Sequence, residues 1–169
     1  MLMPPALWLA VAAMLPLMSL CAWYDLKSLR IPNGLVLAVV GVFLMAGVWG
    51  LPFDEFVWRL GQGAAVLLIG FALFSAGVVG GGDAKMAAAL APFVAARDVL
   101  SVMLLYAVVT LLLLLALRLA MQLTRHRTTG WMAVDQYARP ARERVFPMGL
   151  IFAITIVAYL LLGAAQMPV

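Results

Sequence analysis

Two of the seven carboxylates in this chain, Asp25 and Asp83, stand in surroundings that could support chemistry. Asp83 closes the run Gly80-Gly81-Gly82-Asp83 and is followed two residues later by Lys85. Consecutive glycines open backbone angles closed to other residues and let a second backbone come close. An acid that must meet an extended peptide needs such an approach. Asp25 precedes Lys27, Arg30 and the tripeptide Ile31-Pro32-Asn33. Two carboxylates held near each other cannot both ionise cheaply, so one proton is shared across the pair. The ionised member can take a proton from water while the protonated member donates a hydrogen bond to a carbonyl oxygen. Each stretch also has a plain structural reading. The glycines could cap a helix C-terminus ahead of a tight turn, Ile31-Pro32-Asn33 could open a helix, and a lone Asp could mark a helix end.

The scaffold that must hold these acids is set by composition. Hydrophobic residues make up 67% of the 169 residues and charged residues 11%, with a mean hydropathy of +1.13. Soluble domains carry about 25% charged residues, so the bilayer is the expected solvent. Without water in the hydrocarbon, the backbone must satisfy itself as helices or a closed barrel. The long unbroken apolar runs exclude the alternating pattern of a barrel. The expectation is an all-α polytopic membrane protein, one integral-membrane domain over residues 1–169. The single Cys21 and single His126 offer no zinc site and no disulfide. The net charge of +4 comes from arginines flanking apolar spans, so the lipid bilayer rather than nucleic acid is the expected partner. No Lys or Arg precedes the first apolar run, which reads as a retained helix rather than a signal peptide.

A crossing takes about 20 apolar residues. The pattern predicts spans over residues 6–24, 32–50, 56–79, 99–121 and 146–165, with a short fourth segment over 84–96. A single helix from Ala84 to Met121 would be about 57 Å long, and Pro92 and Arg97-Asp98 interrupt it. The short segment would need thinned bilayer, snorkelling flanks or shelter by its neighbours. With the N-terminus outside, the inner side carries Lys27, Arg30, Lys85, Arg118, Arg125, Arg127, Arg139, Arg142 and Arg144. Only Arg59 and Arg97 fall outside, as the positive-inside bias requires. Merging the fourth and fifth segments would break that bias.

Topology then sorts the acids. Asp54, Glu55 and Asp98 fall at outer loops, Asp135 and Glu143 in the basic inner loop, and Asp25 and Asp83 together at the cytoplasmic boundary. Ionisable groups at membrane depth count as functional candidates, and two at one depth on one side outweigh the flanking-charge reading. Trp131, Val134 and Tyr137 fall at helical spacing in the long loop and read as an ordinary interfacial anchor. Gly63, Gly70 and Gly77 recur every seven residues and read as a packing face rather than a substrate groove.

Taken together, Asp25 with Ile31-Pro32-Asn33, and Gly80-Gly81-Gly82-Asp83 with Lys85, resemble the bacterial type IV prepilin peptidases, intramembrane aspartyl proteases of the GxGD type. The resemblance covers roughly residues 15–121 in segment order. Pro147-Met148-Gly149 is similar to a Pro-Tyr-Gly that often opens the family's last helix, with the Tyr replaced. The resemblance implies that Asp25 and Asp83 are catalytic and that no metal or organic cofactor is used. Lys85 beside Asp83 would favour its ionised form, unless Lys85 is only a snorkelling cation. The implied substrate is a prepilin or pseudopilin, cleaved after a short basic leader at the inner face of the bacterial cytoplasmic membrane. Other pilus-assembly membrane proteins are possible partners. Larger members carry paired Cys-x-x-Cys motifs and a methyltransferase activity. This chain lacks those cysteines and is similar to the short form tied to tight-adherence (Flp-type) pili, so cleavage without N-methylation is expected. The rival reading is a small transporter or proton-relay subunit. Relay acids usually sit inside spans, whereas both acids here sit at one edge.

Overall fold

The computed structural model describes residues 4–123, 132 and 147–165. The anchor residues Trp131, Val134 and Tyr137, and the acids Asp135 and Glu143, lie outside the described residues. Among the described residues the regular elements are all helical: α1 (Pro4–Ser28), α2 (Asn33–Gly50), α3 (Phe53–Ser75), α4 (Gly81–Leu90), α5 (Val99–Leu123) and α6 (Met148–Ala165), with 3-10 turns at Ala91–Phe93 and Ala96–Asp98. Five helices are long and apolar enough to cross a membrane, α4 being the exception. The chain is an all-α polytopic membrane protein.

Helix α1 shows how the core is organised. Leu7, Ala10, Val11, Met14, Met18 and Cys21 are buried, three or four residues apart, so they form one stripe. That stripe packs against α6 and α2. Helices α3 and α5 are different. Their large apolar side chains, among them Leu68, Phe71, Leu100 and Leu104, are exposed, because lipid tails solvate them as well as a protein core would.

Helix α4 is sheltered by its neighbours. It packs on α3, α2 and α6, and Ala84, Met86, Ala88, Ala89 and Leu90 are buried. Small residues on both sides allow the approach. A Cβ on Gly70 would lie 3.3 Å from the Ala84 Cα, and one on Gly63 would lie 2.9 Å from the Pro92 ring. Further along, Arg59 donates to the Pro92 and Phe93 carbonyls. These pairings run α4 antiparallel to α3 and carry the chain from the end of the bundle where α3 stops to the region where it began. The two 3-10 turns complete the return, so ten α-helical residues suffice.

Several boundaries differ from expectation, α4 covering Gly81–Leu90 rather than 84–96 and α3 starting at Phe53 rather than 56, and three of them have a clear local reason. Helix α1 continues through Asp25 to Ser28 and ends where Leu29 takes φ 51. That left-handed conformation costs an L-residue about 1–2 kcal/mol and turns the chain sharply toward Pro32. Helix α2 starts at Asn33, with Pro32 as the residue before its first turn. Helix α3 stops at Ser75 rather than near Val79. There Gly77, at φ 72, accepts the left-handed position of a Schellman cap, with Gly77 N–H to the Phe74 carbonyl at 2.9 Å and Val78 N–H to the Leu73 carbonyl at 3.0 Å. Gly77 therefore caps α3. The capping role does not fall to Gly80-Gly81-Gly82, and Gly77 is not part of the packing face formed by Gly63 and Gly70.

Candidate active site

The two aspartates arrive from different elements at one end of the bundle. Asp25 lies four residues past Cys21 and continues the buried stripe of α1, only 4% exposed. Asp83 is the third residue of α4, whose first turn is Gly81-Gly82-Asp83 with Gly80 just ahead of it. Its carboxyl folds back over Gly80, where a Cβ would lie 2.7 Å from Oδ2. Glycine is needed there for Asp83 to hold this position. Asp83 stands outside the long spans, and burial followed by the nearby Asp25 charge pushes its carboxyl up to about 6. The two acids thus lie within electrostatic reach of each other.

The two sequence motifs meet directly. Lys85, on α4, donates a hydrogen bond to Asn33 Oδ1 at the start of α2, 3.3 Å away. A Cβ on Gly82 would lie 3.7 Å from the Ile31 Cβ, so the glycine run and Ile31-Pro32-Asn33 pack against one another. The Lys85 ammonium engages Asn33, and burial and the Asp25 charge shift Asp83 toward its protonated form.

A third strand of the site comes from the start of α6. Leu150 N–H donates to Asp25 Oδ2 at 2.9 Å, and Cys21 Sγ–H donates to the Gly149 carbonyl at 3.8 Å. Any Cβ on Gly149 would come within 3.0 Å of the Asp25 Cβ and Cγ. Pro147, just ahead, is fully buried. The motif Pro147-Met148-Gly149 carried little signal in sequence because its contribution is made through backbone atoms. Tyr106, on α5, feels the Asp83 charge and stacks at a tilt on Phe152 of α6, with ring centroids 5.6 Å apart.

Other polar groups gather at the far end. Arg59, read from sequence as an outer flanking charge, is 2% exposed. It pairs with Glu55 Oε1 at 2.6 Å and reaches the carbonyls after α4. Tyr159 O–H donates to Asp98 at 2.9 Å and accepts from Ala95 N–H. A groove of about 1060 Å³ lined by Trp58, Gly61, Ala65 and Val99 also lies on the N-terminal half of α3, away from the aspartates.

Two carboxylates gathered at one end of a bundle, one buried and one partly so, can activate a water and protonate a carbonyl oxygen. Searches of the curated proteins and of the solved structures each return no match. A protein-family profile described as the type IV leader peptidase family matches residues 6–117, a span that includes both aspartates. With the match covering well over half of the sequence, the chain belongs to the type IV leader peptidase family.

Proposed function

We propose that this peptidase is of the aspartic type and that Asp25 and Asp83 form its catalytic pair. The observation that carries the reading is their meeting at one end of the bundle, close enough for the charge of Asp25 to act on Asp83. One carboxylate takes a proton from water, and the resulting hydroxide attacks the scissile carbonyl. The protonated carboxyl gives its proton to the carbonyl oxygen as it becomes tetrahedral. When the intermediate collapses, the amine leaves with a proton from the first acid. The second recovers its own, and the pair is reset. A proton relay fits less well, since relay acids are expected near mid-membrane and both aspartates stand at one end of the bundle, Asp25 in the last turn of α1.

The substrate we infer is a prepilin or pseudopilin of the Flp type, with its basic leader on the cytoplasmic side of the inner membrane and an apolar helix in the bilayer. The N-terminus then lies outside, and the inner end of the bundle carries Lys27, Arg30 and Lys85, in keeping with the positive-inside bias. We further propose cleavage without N-methylation, by a single integral-membrane domain. Gly80 leaves room for the Asp83 carboxyl, and Gly81 and Gly82 let Phe74 and Ile31 approach, while Ile31, Pro32, Asn33 and Lys85 hold the α1–α2 turn against α4. Co-expression with an Flp-type prepilin tests this, with the product followed by mass spectrometry. A mature pilin with a free, unmethylated N-terminus is expected. An uncleaved precursor, with the peptidase present in the membrane, overturns the substrate assignment.

A further inference from the structure

The aspartates have unequal surroundings, and the difference carries chemical information. Asp25 receives the Leu150 N–H at 2.9 Å, and the Gly149 N–H also faces it. Both amides belong to the first turn of α6, where N–H groups have no partner within the helix and the dipole is positive. Burial of Asp25 favours its neutral form, and the backbone N–H bonds it accepts oppose that by stabilising the charged form. Asp83 also stands in a first turn, that of α4, but among the described residues no backbone N–H is seen donating to its carboxyl.

Resting on the aspartic reading above, we propose that the first turn of α6 fixes the division of labour: Asp25 is the ionised base that takes the proton from water, and Asp83 is the acid that protonates the substrate carbonyl. Water loses its proton to Asp25 as its oxygen bonds to the carbonyl carbon, and the carbonyl oxygen takes the Asp83 proton, giving a neutral gem-diol. Asp25 then passes its proton to the leaving nitrogen as the C–N bond breaks, while Asp83 takes one back from a diol hydroxyl. Both acids end as they began.

The surrounding groups agree with this assignment. Among the described residues, Cys21 on α1 feels both acids and Tyr106 on α5 feels Asp83, and both are neutral near pH 7. From α4, Lys85 is engaged by Asn33 of α2. Gly149 is a positioning residue here. It leaves the space that lets Asp25 sit on the α6 amides, and Cys21 holds its carbonyl.

Infrared spectroscopy of the purified full chain in lipid nanodiscs tests the assignment, following the protonated-carboxyl C=O band between pH 4 and pH 8. A band titrating near pH 6 is expected in wild type, present but titrating at lower pH in Asp25→Asn, where the Asp25 charge is gone, and absent from Asp83→Asn. A band lost with Asp25→Asn, or weakened equally by both substitutions, overturns the assignment. Gly149→Ala gives a second test that replaces neither acid but crowds Asp25 off the α6 amides. Its kcat on prepilin should fall roughly tenfold or more with KM nearly unchanged, while Gly41→Ala, whose Cβ meets nothing within 4 Å, behaves as wild type. An unchanged kcat in Gly149→Ala contradicts the positioning role. If prepilin cleavage survives either Asp→Asn substitution, the aspartic reading itself fails, which separates the two claims.

Discussion

Lys85 and Asn33 are 52 residues apart in sequence, yet the Lys85 ammonium donates to the Asn33 side-chain carbonyl at 3.3 Å. That bond ties the helix carrying Asp83 to the turn that follows Asp25. Two stretches that look separable in sequence are one mechanical unit.

Because both partners are exposed, the bond contributes only about 1 kcal/mol to stability. Its removal should act mainly on the register of the acids. Lys85→Met and Asn33→Ala are each expected to slow prepilin cleavage severalfold while shifting the thermal midpoint by only a few degrees. The double substitution should be no worse than the stronger single one. Additive losses in a double-mutant cycle would show that the two side chains act separately.

The glycines divide into two kinds. Gly80→Ala places a Cβ 2.7 Å from the Asp83 carboxyl, which must then move. Cleavage should fall by at least tenfold with the fold retained. Gly77→Ala forces a side chain into φ 72, where nothing else crowds it, so about 1 kcal/mol of stability is lost with activity largely intact. Thermal melts and turnover measured on the same preparations distinguish the two.

Asp83 should trade stability for function. Its carboxyl titrates at about 6 in the folded chain, above the ordinary value of about 3.9. A raised folded-state value means that the unfolded chain releases this proton first, so stability falls as pH rises from about 4 to about 6. Asp83→Asn removes that penalty. The variant is expected to lose cleavage and yet melt higher than wild type at pH 7, with the gain vanishing below pH 4. A variant that melts lower than wild type at pH 7 would contradict the burial of an ionised Asp83.

Arg59 is expected to matter for stability rather than for chemistry. It is buried, pairs with Glu55 and satisfies carbonyls at the end of α4. Replacing it by Met leaves those carbonyls without a donor and Glu55 without its cation, which should lower stability by about 3 kcal/mol. Turnover per folded molecule should stay near wild type, because the aspartates lie at the other end of α4. Denaturation in mixed micelles, paired with an activity assay normalised to folded protein, separates the two effects.

The sequence carried the site further than it carried the boundaries. Asp25 and Asp83 were legible because acids are rare in so apolar a chain and because each stands beside a distinctive motif. The inward direction of Asp25 was also available, since Met14, Met18, Cys21 and Asp25 recur at helical spacing. The extension of α1 to Ser28 follows from that stripe. The share of α6 in the site was not legible, because Gly149 and Leu150 contribute an amide and an empty volume, neither of which has a side-chain signature. Arg59 was misplaced for a related reason. Position along the chain marks it as a flanking cation, while its partners are backbone carbonyls 33 and 34 residues away. The bond from Lys85 to Asn33 was not legible either, because its partner lies 52 residues away.

The most direct test of the central claim uses purified chain in lipid nanodiscs with a purified Flp-type prepilin, following leader release by mass spectrometry. Wild type, Asp25→Asn and Asp83→Asn would be compared at equal folded concentration. The expected result is cleavage at one bond by wild type and none by either variant. Cleavage by Asp25→Asn or by Asp83→Asn at a rate near that of wild type would contradict the two-aspartate account.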